Sequence, residues 1–169
     1  MGLFSRIFPK KELTIEPIDL SFLRNDIHSH LIPGIDDGSP DMETTIILLK
    51  KFIALGYKKV ITTPHVMSDY YKNTPEIILS GLDKVKTEII KNNLSIEIEA
   101  AAEYNLEPEF EDLLEKNNLL TFGPEKYLLF ELSFFDEPPR VNDIIWKMRE
   151  KGVSPVLAHV ERYAYWHKD

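Results

Sequence analysis

The chain has 169 residues, 43% of them hydrophobic and 28% charged, with 28 acidic against 20 basic side chains and a net charge of -8. That length fits one domain with a real core, and the negative balance argues against nucleic acid as a partner, which needs a basic footprint. With no cysteine, disulfides, thiolate zinc sites, iron–sulfur clusters and cysteine-nucleophile phosphatases are excluded.

No apolar run approaches the ~20 residues of a membrane span. The first apolar stretch is too short for a signal peptide and Pro9 interrupts it, so a cytoplasmic location is expected. Residues 1–20 read as an N-terminal extension and residues 21–169 as the folded domain. Within the extension, Leu3, Phe4, Ile7 and Phe8 recur at helical spacing beside Arg6, Lys10 and Lys11. That pattern fits a weak basic amphipathic contact with an anionic membrane over residues 1–11, and it equally fits a frayed terminus.

The domain alternates strand and helix signals. A first strand over about 22–27 leads into Asp26-Ile27-His28-Ser29-His30, followed by the turn-forming run Pro33-Gly34-Ile35-Asp36-Asp37-Gly38-Ser39-Pro40. A helix is expected over 41–55, closed by Gly56. A strand over 59–63 stops at Pro64, which should block further pairing and turn the chain out of the sheet. A helix over 75–92, a strand over 95–102, a short acidic helix over 108–116 and a strand over 127–132 follow. A helix over 140–151 then ends at Gly152, and a last strand covers 155–158. Alternation of this kind predicts a parallel α/β fold, in which functional groups gather at the C-terminal ends of the strands. Five βα steps are too few to close a barrel, so the first and last strands are expected to have unpaired edges that favour oligomers.

Polar residues interrupt those apolar runs in a repeated way. His28 and His30 stand two apart, so on a strand they share a face and form a natural pair of metal ligands. Alone, such a pair is as readily explained by hydrogen-bonded, partly buried histidines. Asp37 stands in a tight turn just after, from which a carboxylate can swing back to the strand end. His65 follows Pro64, where a lone histidine is ordinarily a loop residue. Glu103 ends an Ala-rich run and Glu131 lies among Leu128, Leu129, Phe130, Leu132, Phe134 and Phe135; buried carboxylates need a partner or a metal. His159 and Arg162 occur in Ala158-His159-Val160-Glu161-Arg162-Tyr163. An arginine there suits bidentate phosphate binding, or a plain surface ion pair. Histidines and carboxylates at successive strand ends predict a multinuclear metal site and metal-activated hydrolysis.

Taken together, Asp26-Ile27-His28-Ser29-His30, Pro33-Gly34-Ile35-Asp36-Asp37-Gly38, Thr63-Pro64-His65, Ala102-Glu103, Phe130-Glu131 and Ala158-His159-Val160-Glu161-Arg162-Tyr163 resemble the metal-dependent tyrosine-protein phosphatases of bacterial capsule and exopolysaccharide systems, in the polymerase-and-histidinol-phosphatase superfamily. The resemblance runs from about Asp26 to the last residues. It implies an α/β fold of the distorted TIM-like (β/α) barrel type, incomplete at about five βα units with its C-terminal part missing. It implies two or three divalent ions, usually manganese, with iron or zinc as alternatives. It places metal ligands at His28, His30, Asp37 (Asp36 as fallback), His65, Glu103, Glu131 and His159, with Arg162 and Asp37 as catalytic residues. The implied activity is phosphotyrosine hydrolysis, on a membrane-associated tyrosine autokinase of capsular or exopolysaccharide synthesis. Two other readings stay open: a phosphatase of small phosphomonoesters such as histidinol phosphate, and a non-catalytic binding module. The family's late Asp-x-His metal pair finds no match here, which leaves the activity of this chain by itself in question.

Overall fold

The computed structural model describes residues 21–167; the expectations for residues 1–20 lie outside them. Strand β1 (Asn25–Ser29) leads to helix α1 (Met42–Ala54), then β2 (Lys59–Thr62), β3 (His65–Val66) and helix α2 (Pro75–Lys91). β4 (Glu97–Ala100), β5 (Glu103–Asn105), α3 (Pro108–Glu115), β6 (Tyr127–Glu131), α4 (Val141–Glu150) and β7 (Ser154–Leu157) complete the order.

Local chemistry sets the helix bounds. Asp41 caps α1 by accepting the Thr44 N–H at 2.8 Å, and Gly56 takes the left-handed φ of 92° that ends it. Thr74 caps α2, whose first residue is Pro75. Ile78, Leu82, Val85 and Ile89 then form the buried stripe, at spacings of four, three and four residues that keep them on one helical face. α3 and α4 are linked by the ion pairs Lys147–Glu111 and Lys151–Glu115.

Among the described residues the pairs between these strands are all parallel, in the orders β1-β2-β4 and β3-β5-β6-β7. The two sheets continue one another. β2 and β3 are one strand run interrupted at Thr63-Pro64, and β4 and β5 are one run interrupted at Ala101-Ala102. Ala101 N–H donates to the Thr62 carbonyl at 2.9 Å and Glu103 N–H to the Pro64 carbonyl at 3.0 Å across the break. Five strand runs therefore lie side by side in chain order. This corrects the expectation at Pro64. Proline lacks an N–H but keeps its carbonyl, so pairing resumes one residue later with His65 opposite Glu103. The expected first strand also shifts: residues 21–23 form a 3-10 turn and β1 extends through His28.

Two apolar clusters occupy the two faces of the sheet. The buried apolar side chains of all four helices belong to the larger one, with alternate strand residues such as Val60, Ile98, Leu128 and Phe130. The smaller one holds Ile61, Ala101, Phe122, Leu129 and Ala158, and no helix among the described residues contributes to it. Strand residues one apart in sequence thus fall into different clusters, as the two-residue strand period requires. Helices on one face, with strands in chain order, distinguish the architecture from a doubly wound sheet. No helix among the described residues is long and apolar enough to cross a membrane.

Candidate metal centre

The C-terminal ends of the strand runs converge on one pocket of about 490 Å³. β1 contributes His28, and His30 follows it by one residue. β3 opens with His65, β5 with Glu103, and β6 ends in Glu131. His159 follows β7 in the left-handed conformation at φ 54°, a region uncommon for non-glycine residues but one in which histidine is enriched. It opens the short turn that carries Arg162. All seven metal-ligand candidates of the sequence, and Arg162, meet here; of the set, only Glu103 does not line the pocket surface, being fully buried beneath it. His167 does not join them; its Nε2 faces the Val160 carbonyl at 3.4 Å.

Glu103 is the hub. Its Oε1 lies 3.1 Å from His159 Nε2 and 3.7 Å from His28 Nε2; its Oε2 lies 3.3 Å from His30 Nε2 and 3.4 Å from His65 Nδ1. Around this carboxylate, His28 Nε2 and His159 Nε2 approach to 3.3 Å, and His65 Nδ1 lies 3.1 Å from Glu131 Oε1. Asp37 Oδ1 lies 3.6 Å from both His30 Nδ1 and His65 Nε2. Among the described residues, three overlapping groups could each hold a metal ion: His28, His30 and Glu103; His30, Asp37 and His65; and His65, Glu103 and Glu131.

Both Glu103 oxygens and His65 Nδ1 are buried without a hydrogen-bond partner. A buried carboxylate without a hydrogen bond is costly, and here it faces imidazole nitrogens at distances that a cation between them would bridge. Nitrogen and oxygen donors of this mixture suit a divalent ion such as manganese, iron or zinc. The residues therefore fit the metal group that the resemblance implies.

The protonation equilibria reflect the same crowding. Burial opposes charge on His30, but the Asp36 and Glu103 carboxylates outweigh it and push its pKa up to about 10. Burial also opposes charge on His65, and Glu131 and Glu103 raise its pKa. For His28 burial wins and the pKa falls despite Glu103. Burial pushes the Glu103 carboxyl up, and the surrounding histidines, His30 foremost, hold it below the usual range.

Several residues shape the site in ways the sequence reading did not assign, among them Asp36, there only a fallback metal ligand. Asp36 has a fully buried side chain and accepts from three sides: His30 Nδ1 at 2.9 Å, His65 N–H at 3.0 Å and Gly38 N–H at 3.0 Å. It fixes the His30 ring with Nε2 toward Glu103, the role an outer carboxylate plays for a metal-bound histidine. Asp37, not Asp36, reaches the pocket. Thr63 Oγ1 contacts His28 Nδ1 at 2.8 Å. Gly38 packs so closely that a Cβ there would lie 2.3 Å from the His30 Cβ. The buried Tyr163 hydroxyl accepts from Leu132 N–H at 3.1 Å and donates to the Ala158 carbonyl at 2.8 Å, tying the end of β6 to the residue before His159. The apolar run around Glu131 predicted its burial correctly (5% exposed), although Phe135 in that run is 91% exposed.

Fold and site together define a class: a parallel α/β protein that gathers histidines and carboxylates at its strand ends into groups able to hold metal ions. Comparison with known proteins carries this to a family. The family described as "Capsular polysaccharide synthesis, CpsB/CapC" matches residues 24–169, and the chain belongs to it. The tyrosine-protein phosphatase YwqE of Bacillus subtilis (strain 168) is 31% identical over 137 residues, which cover 81% of this chain and 54% of YwqE. The tyrosine-protein phosphatase CpsB of Streptococcus pneumoniae is 29% identical over 141 residues, covering 82% and 57% of the two chains. A solved structure from work on YwqE and CpsB as "unique metal-dependent tyrosine phosphatases" matches with a TM-score of 0.76 and 31% identity, over 82% of this chain and 56% of that one. The chain spans about half the length of the curated relatives it matches.

Proposed function

We propose that the protein is a metal-dependent protein-tyrosine phosphatase of the barrel type, cytoplasmic, and acting on a phosphotyrosine-containing protein such as the autokinase of a capsule or exopolysaccharide system. The observation that carries this reading is the buried Glu103 carboxylate, without a hydrogen bond and shared by two of the histidine–carboxylate groups, with an arginine on the same pocket. The relatives named as tyrosine-protein phosphatases support it, as do five parallel strand runs in chain order with helices on one face.

In this reading His28, His30, Asp37, His65, Glu103, Glu131 and His159 hold two or three divalent ions, with manganese favoured. Bound divalent ions supply Lewis acidity and a water acidic enough to act as nucleophile near neutral pH. The chain's own residues do the rest. Arg162 offers its planar fork to the phosphate oxygens and balances the charge that grows there. Asp36 and Thr63 fix the ring orientations of His30 and His28, so that the donor atoms do not reorganise during the reaction. Asp37, whose side chain is 61% exposed, is the carboxylate most open to substrate in the pocket and is the second catalytic residue of this reading. Tyrosine leaves as a phenol of pKa about 10, so little acid assistance is needed.

The test is hydrolysis of a phosphotyrosine peptide by the manganese-loaded protein, compared with histidinol phosphate. Turnover of the peptide that is abolished by chelator and by His28→Ala is expected. Activity that survives both would refute the metal mechanism. Faster turnover of the small ester would reassign the substrate, and stoichiometric peptide binding without turnover would make the protein a binding module.

A further inference from the structure

Most of the pocket lining is charged or imidazole, but two apolar side chains, Met67 and Phe134, also face it. Met67 leaves β3 and Phe134 follows β6 by three residues, so they belong to strand runs two apart in the sheet. Phe134 is partly exposed at 38%, yet its ring is held from three sides. It stacks on the Tyr163 ring at 5.7 Å and 26°, meets the His159 ring at 6.2 Å and 65°, and has the Arg162 guanidinium 5.1 Å from its centroid. Its support is rigid, because Tyr163 is fully buried and its hydroxyl is bonded on both sides. The next residue, Phe135, is 91% exposed and is not among the ring contacts of this group.

Phe134 puts a phenyl ring into the lining of a pocket made mostly of charged and imidazole groups. That ring adjoins the guanidinium that takes phosphate in the reading above, on which this inference rests. We propose that Phe134 is the specificity-determining residue for aromatic phosphomonoesters. Its ring packs against the ring of the phosphorylated tyrosine while Arg162, seated on the same ring, binds the phosphate. Coupling the two contacts through one side chain makes an aryl phosphate fit better than an alkyl one. Offset or edge-on aromatic pairs have such a preference beyond simple area burial, and the guanidinium over Phe134 adds a cation–π contact.

The experiment measures equilibrium binding of benzylphosphonate and methylphosphonate, neither of which can be hydrolysed, to the manganese-loaded full chain and to Phe134→Ala, Phe134→Leu and Phe134→Tyr. Wild type is expected to prefer benzylphosphonate by about tenfold or more, the scale of one aromatic contact plus its buried area. Phe134→Ala and Phe134→Leu are expected to lose most of that ratio, and Phe134→Tyr to keep it. The leucine variant preserves bulk, so a loss of ratio there reports the ring and not a collapsed loop. An unchanged ratio in both variants, including an equal weakening of both ligands, would overturn the inference and leave Phe134 as a support for Arg162. Wild type that binds neither phosphonate would overturn the phosphatase reading itself.

Discussion

His28 Nε2 lies 3.3 Å from His159 Nε2, although 131 residues separate them in sequence. The first belongs to β1 and the second follows β7, the two ends of the run of strands. β1 pairs with β2 and β7 with β6; no ladder among the described residues joins β1 to β7. The curl of the sheet alone brings the two imidazoles together. The donor set is consequently complete only when every strand run is in place.

Metal binding should therefore stabilise the whole fold. A ligand that binds only the folded state at 100 times its Kd adds about 2.7 kcal/mol. Manganese at that excess is expected to raise the unfolding free energy from urea titration by this amount, moving the midpoint up with it, and chelator to reverse both. His159→Ala should reduce the gain. An identical midpoint with and without metal would show that the cluster does not hold an ion.

Glu103 touches four histidines and enters two of the three metal groups. Glu103→Gln keeps the size and removes the charge that bridges cations. Bound manganese, measured by elemental analysis after dialysis, is expected to fall by more than half, and further than in Asp37→Asn, because Asp37 enters one group and stands exposed.

Asp36 acts through His30. Asp36→Ala removes the acceptor of His30 Nδ1 and of two backbone N–H groups. Loss of such an outer partner lowers metal affinity by about 10- to 100-fold. Titration calorimetry should find that weakening in Asp36→Ala, and wild-type affinity in the variant would make Asp36 a purely structural residue.

Metal uptake should release protons. The His30 pKa is pushed up to about 10 in the folded protein, above the ordinary value of about 6.5. Its contribution to the stability of the metal-free fold is therefore fully present below about pH 6.5 and is lost as pH rises through about 10. A metal ligand must be neutral imidazole, so ions compete with that proton. Apparent metal affinity is expected to rise between about pH 6.5 and 10, by up to tenfold per pH unit for each proton displaced. Calorimetry at pH 7.5 in buffers of different ionisation enthalpy measures the release; equal heats in all buffers would contradict the protonated His30.

The Tyr163 hydroxyl satisfies a buried N–H and a buried carbonyl between β6 and β7. Tyr163→Phe leaves the Leu132 N–H without a partner, which costs about 1–3 kcal/mol. Denaturant unfolding should record that loss, and a change under about 0.5 kcal/mol would mean that water replaces the hydroxyl.

Much of this was legible in the sequence because it depends on short-range chemistry. The bounds of α1 and α2 follow from Asp41, Thr74 and Pro75, residues that act within one turn. The burial of Glu131 followed from its apolar neighbours, and the shared face of His28 and His30 from the strand period. The resumption of pairing after Pro64 was not legible, because it depends on a carbonyl that meets Glu103 from another strand. Sequence put Asp37 ahead of Asp36 as the ligand, but it did not show what Asp36 does. The two are adjacent and chemically equal, and only the path of the turn sends one carboxylate under His30 and the other to the pocket. Residue type and spacing thus determined which donors the protein owns. Which of them meet, and which serve beneath the surface, was decided by the curvature of the sheet, since contacts 131 residues apart are set by long-range packing that no local pattern encodes.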